Sequence, residues 1–189
     1  MHIIHTTPGF ILQARPYSEA GKMFSVYTRD LGLVQAAAQG IRLEKSKLRY
    51  HMQEYTFGTF SLVRGKEVWR LTGAECVEEY IPAHVRDLRA RLSLLLSRFL
   101  QGEEPHPELF ACLQSFMNTP VNFLTGYSTE YESLIVLRIL NLLGYVGNVS
   151  TVRPFIESTD ITEDILKAIS PIRREVIGLI NTSIHASHL

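Results

Sequence analysis

Near Cys76 the hydrophobic rhythm of the chain changes. Before it, short β-branched and aromatic runs dominate, and after it apolar residues recur at intervals of three and four. A period of two belongs to half-buried strands and a period near 3.6 to amphipathic helices, so the two parts must build different kinds of core. The expected boundary falls near residues 77–81 and divides the chain into 1–78 and 79–189. The 189 residues, 46% hydrophobic and 20% charged, suffice for one good core or two small ones.

In the first part, Gly9–Arg15 reads as a strand ending at Pro16, and Lys22–Thr28 as a second ending at the turn Asp30-Leu31-Gly32. Leu33–Gln39 makes a third, with Val34, Ala36 and Ala38 on one face and Leu33, Gln35, Ala37 and Gln39 on the other. Tyr50–Val63 reads as one long, bent strand with Gly58 as a bulge or corner. Arg64-Gly65-Lys66 is a turn, and Glu67–Ala74 a fifth strand in which Trp69 and Leu71 share a face. Five short strands are too few for an ordinary sandwich and suit a small barrel of OB type.

The second part opens at Pro82 with a helix whose Leu88, Leu92, Leu95 and Phe99 recur until Gly102 stops it. Leu109, Leu113 and Phe116 share a face of a helix over 107–117 that Thr119-Pro120 terminates. Thr129 with Glu132 forms a capping-box pattern for a helix running to Asn141 or Leu143 and closed by Gly144. Ile135, Leu137, Ile139, Leu140, Leu142 and Leu143 leave that helix apolar nearly all round, as the centre of a bundle would be. Thr162 caps a short helix through Ile169, and Ser170-Pro171 offers an N-cap and first-turn proline to a last helix facing inward through Ile172, Val176, Leu179 and Ile180. The expected fold class is α+β: a five-stranded OB-fold barrel followed by an all-α bundle.

Although the chain has no net charge, residues 1–75 hold 10 Lys+Arg against 6 Asp+Glu, while 76–189 hold 9 against 13. The excess is concentrated in the connection Gly40–Arg49, where Arg42, Lys45, Lys47 and Arg49 crowd between two strand-like segments. A cationic loop suits a polyanion, because each Lys or Arg meeting a phosphate releases a condensed counterion. Arg15, Arg29, Arg64 and Lys66 would add to it if a barrel brings their loops together. Tyr17, Tyr50 and Tyr55 are the aromatics placed to stack on bases.

Catalytic signals are thin. Cys76 and Cys112 lie outside any C-x-x-C, have no neighbouring base, and read as buried thiols in a reducing compartment, so the cytoplasm is the expected location. The histidine pairs His2 with His5 and His185 with His188 sit near the chain ends without a carboxylate partner, which reads as surface histidines and no metal site. Glu103-Glu104 and Glu130 with Glu132 read as loop and helix-start acids. There is no phosphate-binding G-x-x-x-x-G-K-[ST], no leader-like segment and no membrane span, so neither nucleotide hydrolysis, cofactor, export nor membrane partner is expected.

Gly9-Phe10-Ile11-Leu12, Arg15-Pro16-Tyr17-Ser18-Glu19, Tyr27 to Gly32, and Gly40 followed by the basic run to Arg49 resemble, in order and spacing, the amino-terminal domain of the RecO family of DNA repair and recombination mediators. Pro107-Glu108-Leu109-Phe110 and Leu142-Leu143-Gly144-Tyr145 are similar to the family's helical domain. One departure concerns the four-cysteine zinc module that commonly follows Leu-Gly-Tyr in the family: Val146–Pro154 contains no cysteine here. The resemblance thus implies a shortened, zinc-free version.

It also implies a non-enzymatic, cytoplasmic and nucleoid-associated DNA-binding protein that anneals complementary strands. Such a protein helps load recombinase onto single strands coated with single-strand-binding protein, together with a RecR-type partner. Its partners would be single- and double-stranded DNA, the acidic and apolar tail of single-strand-binding protein, and the recombinase filament indirectly. Arg89, Arg98 and Arg138, on helices with apolar faces, are the expected contacts for that tail. A reading from another class stays open at this stage: an adaptor whose barrel and basic loop dock acidic protein partners.

Overall fold

Strand β1 (Ile4–Pro16) serves two neighbours in turn, and that double duty closes a barrel. In the computed structural model, which describes residues 3–76, 81–119, 126–158 and 160–186, its first half pairs antiparallel with β4 (Phe57–Arg64) from Ile4 opposite Val63 to Phe10 opposite Phe57. Its second half pairs with β2 (Lys22–Thr28) from Gly9 opposite Thr28 to Pro16 opposite Lys22. β2 pairs with β3 (Gly32–Ala38), and β4 with β5 (Trp69–Cys76). The ring closes through a parallel contact in which Ala36 and Ala37 of β3 lie beside Trp69 and Arg70 of β5. The order β1-β2-β3-β5-β4 is that of the expected OB-type barrel.

The alternation expected in the third strand is present: Val34, Ala36 and Ala38 join Ile11, Phe24, Val26, Phe60, Leu62, Trp69 and Leu71 in the barrel core. Two expectations are corrected. Tyr50–Val63 is not one strand, because residues Leu48–His51 form a helical turn (α1) and β4 begins only at Phe57. Gly58 is not the bulge, since the β4/β5 register shifts between Ser61 and Leu62. Glycine is required at 58 for closeness: a Cβ there would lie 2.4 Å from Cys76 Sγ and 2.6 Å from the Glu75 carbonyl.

Helix α2 (Ala83–Phe99) buries Val85, Leu88, Leu92, Leu96 and Phe99, so Leu96 takes the inward place expected of the half-buried Leu95. It lies against β1, whose Phe10 and Leu12 are buried alongside the core-facing Ile11. After it the chain is fastened to the barrel by Leu33 N–H donating to the Gly102 carbonyl (3.2 Å) and Tyr27 Oη donating to that of His106 (3.2 Å). Gly32, at φ +68°, leaves room for Glu104, whose backbone would meet a Cβ at 2.5 Å. The compact units therefore divide between His106 and Pro107, although the strands end at Cys76; residues 77–80, where the sequence boundary falls, lie outside the described residues.

The second unit, 107–189, is helical. Its centre is α4 (Ser128–Leu142), which buries Tyr131, Leu134, Ile135, Leu137, Ile139 and Leu140. Around it pack α3 (Pro107–Met117), α5 (Arg153–Ile156), α6 (Glu163–Ile169) and α7 (Arg173–Ala186). Pro120, expected to end α3, lies outside the described residues. Thr129 sits inside α4 and does not cap it; Tyr127 holds the N-cap position without a side-chain hydrogen bond. The C-terminus of α4 closes with Gly144 N–H on the Asn141 carbonyl (2.9 Å) and Tyr145 N–H on that of Leu140 (2.9 Å). Thr162 caps α6 by accepting from Ile165 N–H (3.4 Å), as expected. Ser170-Pro171 forms a 3₁₀ turn, Ser170–Ile172, ahead of α7 instead of capping it directly.

Candidate nucleic-acid interface

The segment between β3 and β4 is pinned at both ends by apolar residues, with its cations strung between them. Ile41 and Met52 belong to the barrel core, 3% and 4% exposed, and Leu48 packs against that core. Successive turns fold what lies between: Leu43 N–H donates to the Gly40 carbonyl (3.0 Å), Ser46 N–H to that of Leu43 (3.0 Å), and Arg49 N–H to that of Ser46 (3.3 Å). Arg42 is tied to the β1–β2 turn, its N–H donating to Ala20 O (3.0 Å) and its Nη1 to Glu19 O (3.3 Å). Arg42, Lys45, Lys47 and Arg49 are all exposed. The cations are thus carried on a folded platform.

Beside this platform lies a pocket of about 240 Å³ lined by Lys22, Ile41, Arg42, Arg49 and Met52. Lys22 is not singled out by its sequence context; only the register shows why it matters, since it begins β2 opposite Pro16 of β1 and Ala38 of β3, next to the basic connection. Arg15, opposite Met23, is exposed near the same end of β1. Tyr17, Tyr50 and Leu43 add exposed rings and hydrocarbon, at 51%, 61% and 57%. Tyr55 differs. It is half-buried at φ 68°, its N–H donates to the Ile11 carbonyl (2.9 Å) and its own carbonyl accepts from Arg89 Nη1 (3.4 Å), which makes it a backbone corner.

The remaining expected cations are not among the residues lining the pocket. Arg29, in the β2–β3 turn, pairs with Asp30 (2.9 Å), and that hydrogen bond holds the Asp30 carboxyl below its ordinary range. Arg64 is engaged by Glu103, whose carboxyl is likewise held low, and stands 5.0 Å from the Trp69 ring centroid. Lys66 is exposed in the β4–β5 turn.

The residues expected to form a partner surface are divided between the two compact units. Arg89 and Arg98 are both on α2, within the first unit. Arg138 is buried in the second: its Nε donates to the Phe155 carbonyl (2.8 Å) and its Nη2 to that of Asp160 (2.8 Å). It borders a cavity of about 350 Å³ with Ala111, Cys112, Leu142 and Ile156, where desolvation pulls its pKa down.

His5 stacks edge-on against Trp69 at 5.3 Å, and His185 is exposed; His2 and His188 lie outside the described residues. Among the described residues no group of three or more His, Cys, Asp or Glu could hold a metal ion, and no helix is long and apolar enough to cross a membrane. Burial pushes both the Cys76 and Cys112 thiols up, away from the thiolate a nucleophile needs.

Comparison with known proteins adds to this geometry. Residues 1–80 match the family described as recombination protein O N terminal. The chain is similar to the DNA repair protein RecO of Dehalococcoides mccartyi, 30% identical over 148 residues that cover 74% of this chain and 56% of that protein. RecO of Heliobacterium modesticaldum is 29% identical over 151 residues (78% of this chain, 54% of the relative), and RecO of Salmonella paratyphi B is 32% identical over 145 (74% and 58%). The chain thus spans a little more than half the length of the curated relatives it matches.

Proposed function

The chain belongs to the RecO family, and on that premise we propose that it is a DNA-binding protein of repair and recombination, acting without catalysing a reaction. The observation that carries this reading is the platform between Ile41 and Met52, which presents four exposed cations beside exposed aromatic and aliphatic side chains. Phosphate contacts position a strand without reading its sequence, and exposed rings accept any base face, so the surface suits arbitrary single-stranded DNA. Screening the charge of two strands on one surface is also what annealing requires, and we extend the proposal to annealing of complementary single strands and to binding of double-stranded DNA.

The finer reading is that the protein helps load recombinase onto strands coated with single-strand-binding protein, in concert with a RecR-type partner, in the cytoplasm at the nucleoid. Arg89 and Arg98 on α2 remain the candidates for an acidic partner tail. The buried Arg138 is already bonded to carbonyls and borders a cavity that Glu108 and Glu157 also line, so it offers an acidic tail little.

Replacing Arg42, Lys45, Lys47 and Arg49 together with Glu tests the central claim. Single-strand affinity and annealing should fall together for every base sequence, and the log–log salt slope should flatten by about 0.7 for each phosphate that the surface no longer neutralises. The circular-dichroism spectrum should stay intact, because exposed substitutions outside the core change stability little. Unchanged DNA affinity in a folded mutant would instead favour the adaptor that docks acidic proteins.

A further inference from the structure

The pocket beside the platform is lined by cations and hydrocarbon alone. Three of its five lining residues are cations, Lys22, Arg42 and Arg49, and none is an acid. They come from the start of β2, the residues after β3, and α1. The two apolar lining residues, Ile41 and Met52, are parts of the barrel core and present a fixed hydrocarbon wall. Arg42 is held by its two bonds to the β1–β2 turn, so at least one cation is oriented before any ligand arrives.

An internal phosphodiester brings one negative charge and must enter and leave as a continuous strand. A terminal phosphate monoester brings about −1.5 to −2 at neutral pH, offers three acceptor oxygens, and leaves in one direction only. A concavity of about 240 Å³ bordered by three cations matches the second better than the first. We propose that this pocket seats a phosphate monoester dianion, namely the terminal phosphate of a DNA strand, with the adjoining sugar against Ile41 and Met52. This rests on the nucleic-acid reading of the barrel and adds that the barrel distinguishes strand ends.

The test is fluorescence anisotropy on the full chain with one oligonucleotide in three forms: unphosphorylated, 5′-phosphorylated and 3′-phosphorylated. A terminal phosphate should tighten binding by about tenfold, the equivalent of one further charge-assisted contact. Lys22→Gln, which removes charge from a half-buried side chain outside the platform, should abolish the preference while the unphosphorylated strand still binds, and Arg49→Gln, within the platform, should abolish the preference and weaken all three forms. Lys45→Ala, outside the pocket, should weaken all three forms equally. Equal affinity for the three forms in the wild type overturns the proposal and leaves the DNA-binding reading standing. A preference that survives both pocket variants places the end elsewhere and also overturns it. Inorganic phosphate competing as strongly as the phosphorylated strand would make the pocket a general phosphate site and remove the strand end from it. If no strand binds at all, both this inference and the reading beneath it fall.

Discussion

Arg138 and Tyr27 each place a polar group where water is scarce, and both do so with a backbone carbonyl as partner. The Arg138 guanidinium spans the carbonyls of Phe155 and Asp160, so truncating it removes two donors and opens space in the helical unit. Arg138→Ala should cost about 2–3 kcal/mol in denaturant unfolding, with Arg138→Met restoring only the part due to packing. Tyr27 is fully buried with its hydroxyl on the His106 carbonyl, and burial pushes its pKa up to about 12. Because the folded state keeps this proton after the unfolded chain has released its own near pH 10, stability is whole below that point and falls as pH rises toward 12. The loss attributable to Tyr27 is up to about 2–3 kcal/mol. Thermal melts of wild type and Tyr27→Phe should therefore converge between pH 10 and pH 12, the wild type losing stability faster. A constant offset across that window would mean that the phenol does not titrate with unfolding.

Among the elements, β4 and β5 show how a single small residue sets a barrel's closure. Gly58 pairs with Gly9 on one side and Cys76 on the other, and a methyl group at 58 would overlap the Cys76 sulfur and the Glu75 carbonyl. Gly58→Ala should destabilise the protein by about 1–3 kcal/mol, as overpacking does, read as a shift of the denaturation midpoint. Unchanged stability would show that β5 ends flexibly enough to yield. The strands are legible in the sequence wherever one face alternates, as in β3, because burial of Val34, Ala36 and Ala38 imposes the period of two. They are illegible at 50–56, where aromatic residues imitate a strand while Leu48 and Met52, four apart, fasten a helical turn to the core. β1 starts at Ile4, earlier than Gly9, since the pairing that extends it comes from β4, more than fifty residues away. The site is legible in part for the same reason. A run of cations shows itself locally, whereas Lys22 joins Arg42 and Arg49 only through the β1–β2 and β2–β3 registers.

At the scale of the whole molecule, a net charge of zero hides an opposition between the two compact units. Residues 1–106 carry 14 Lys+Arg against 11 Asp+Glu, and 107–189 carry 5 against 8, so the units differ in sign at +3 and −3. Within the acidic unit, several of the few cations are already occupied: Arg138 by carbonyls, Arg153 by Glu157 (2.6 Å), Lys167 by Glu163 (2.8 Å) and Arg173 by Glu130 (3.3 Å). A polyanion approaching it meets net repulsion with little local relief, while the first unit offers the exposed cations of the platform. Separately expressed residues 1–106 should consequently retain the single-strand affinity and salt slope of the full chain, and residues 107–189 should bind no DNA at near-physiological salt. Gel-shift titrations of the two pieces at two salt concentrations, each piece first shown to be folded by circular dichroism, check this directly. A steep salt slope in the helical piece would mean that charge placement within it outweighs its net sign, and phosphate binding would then belong to both units.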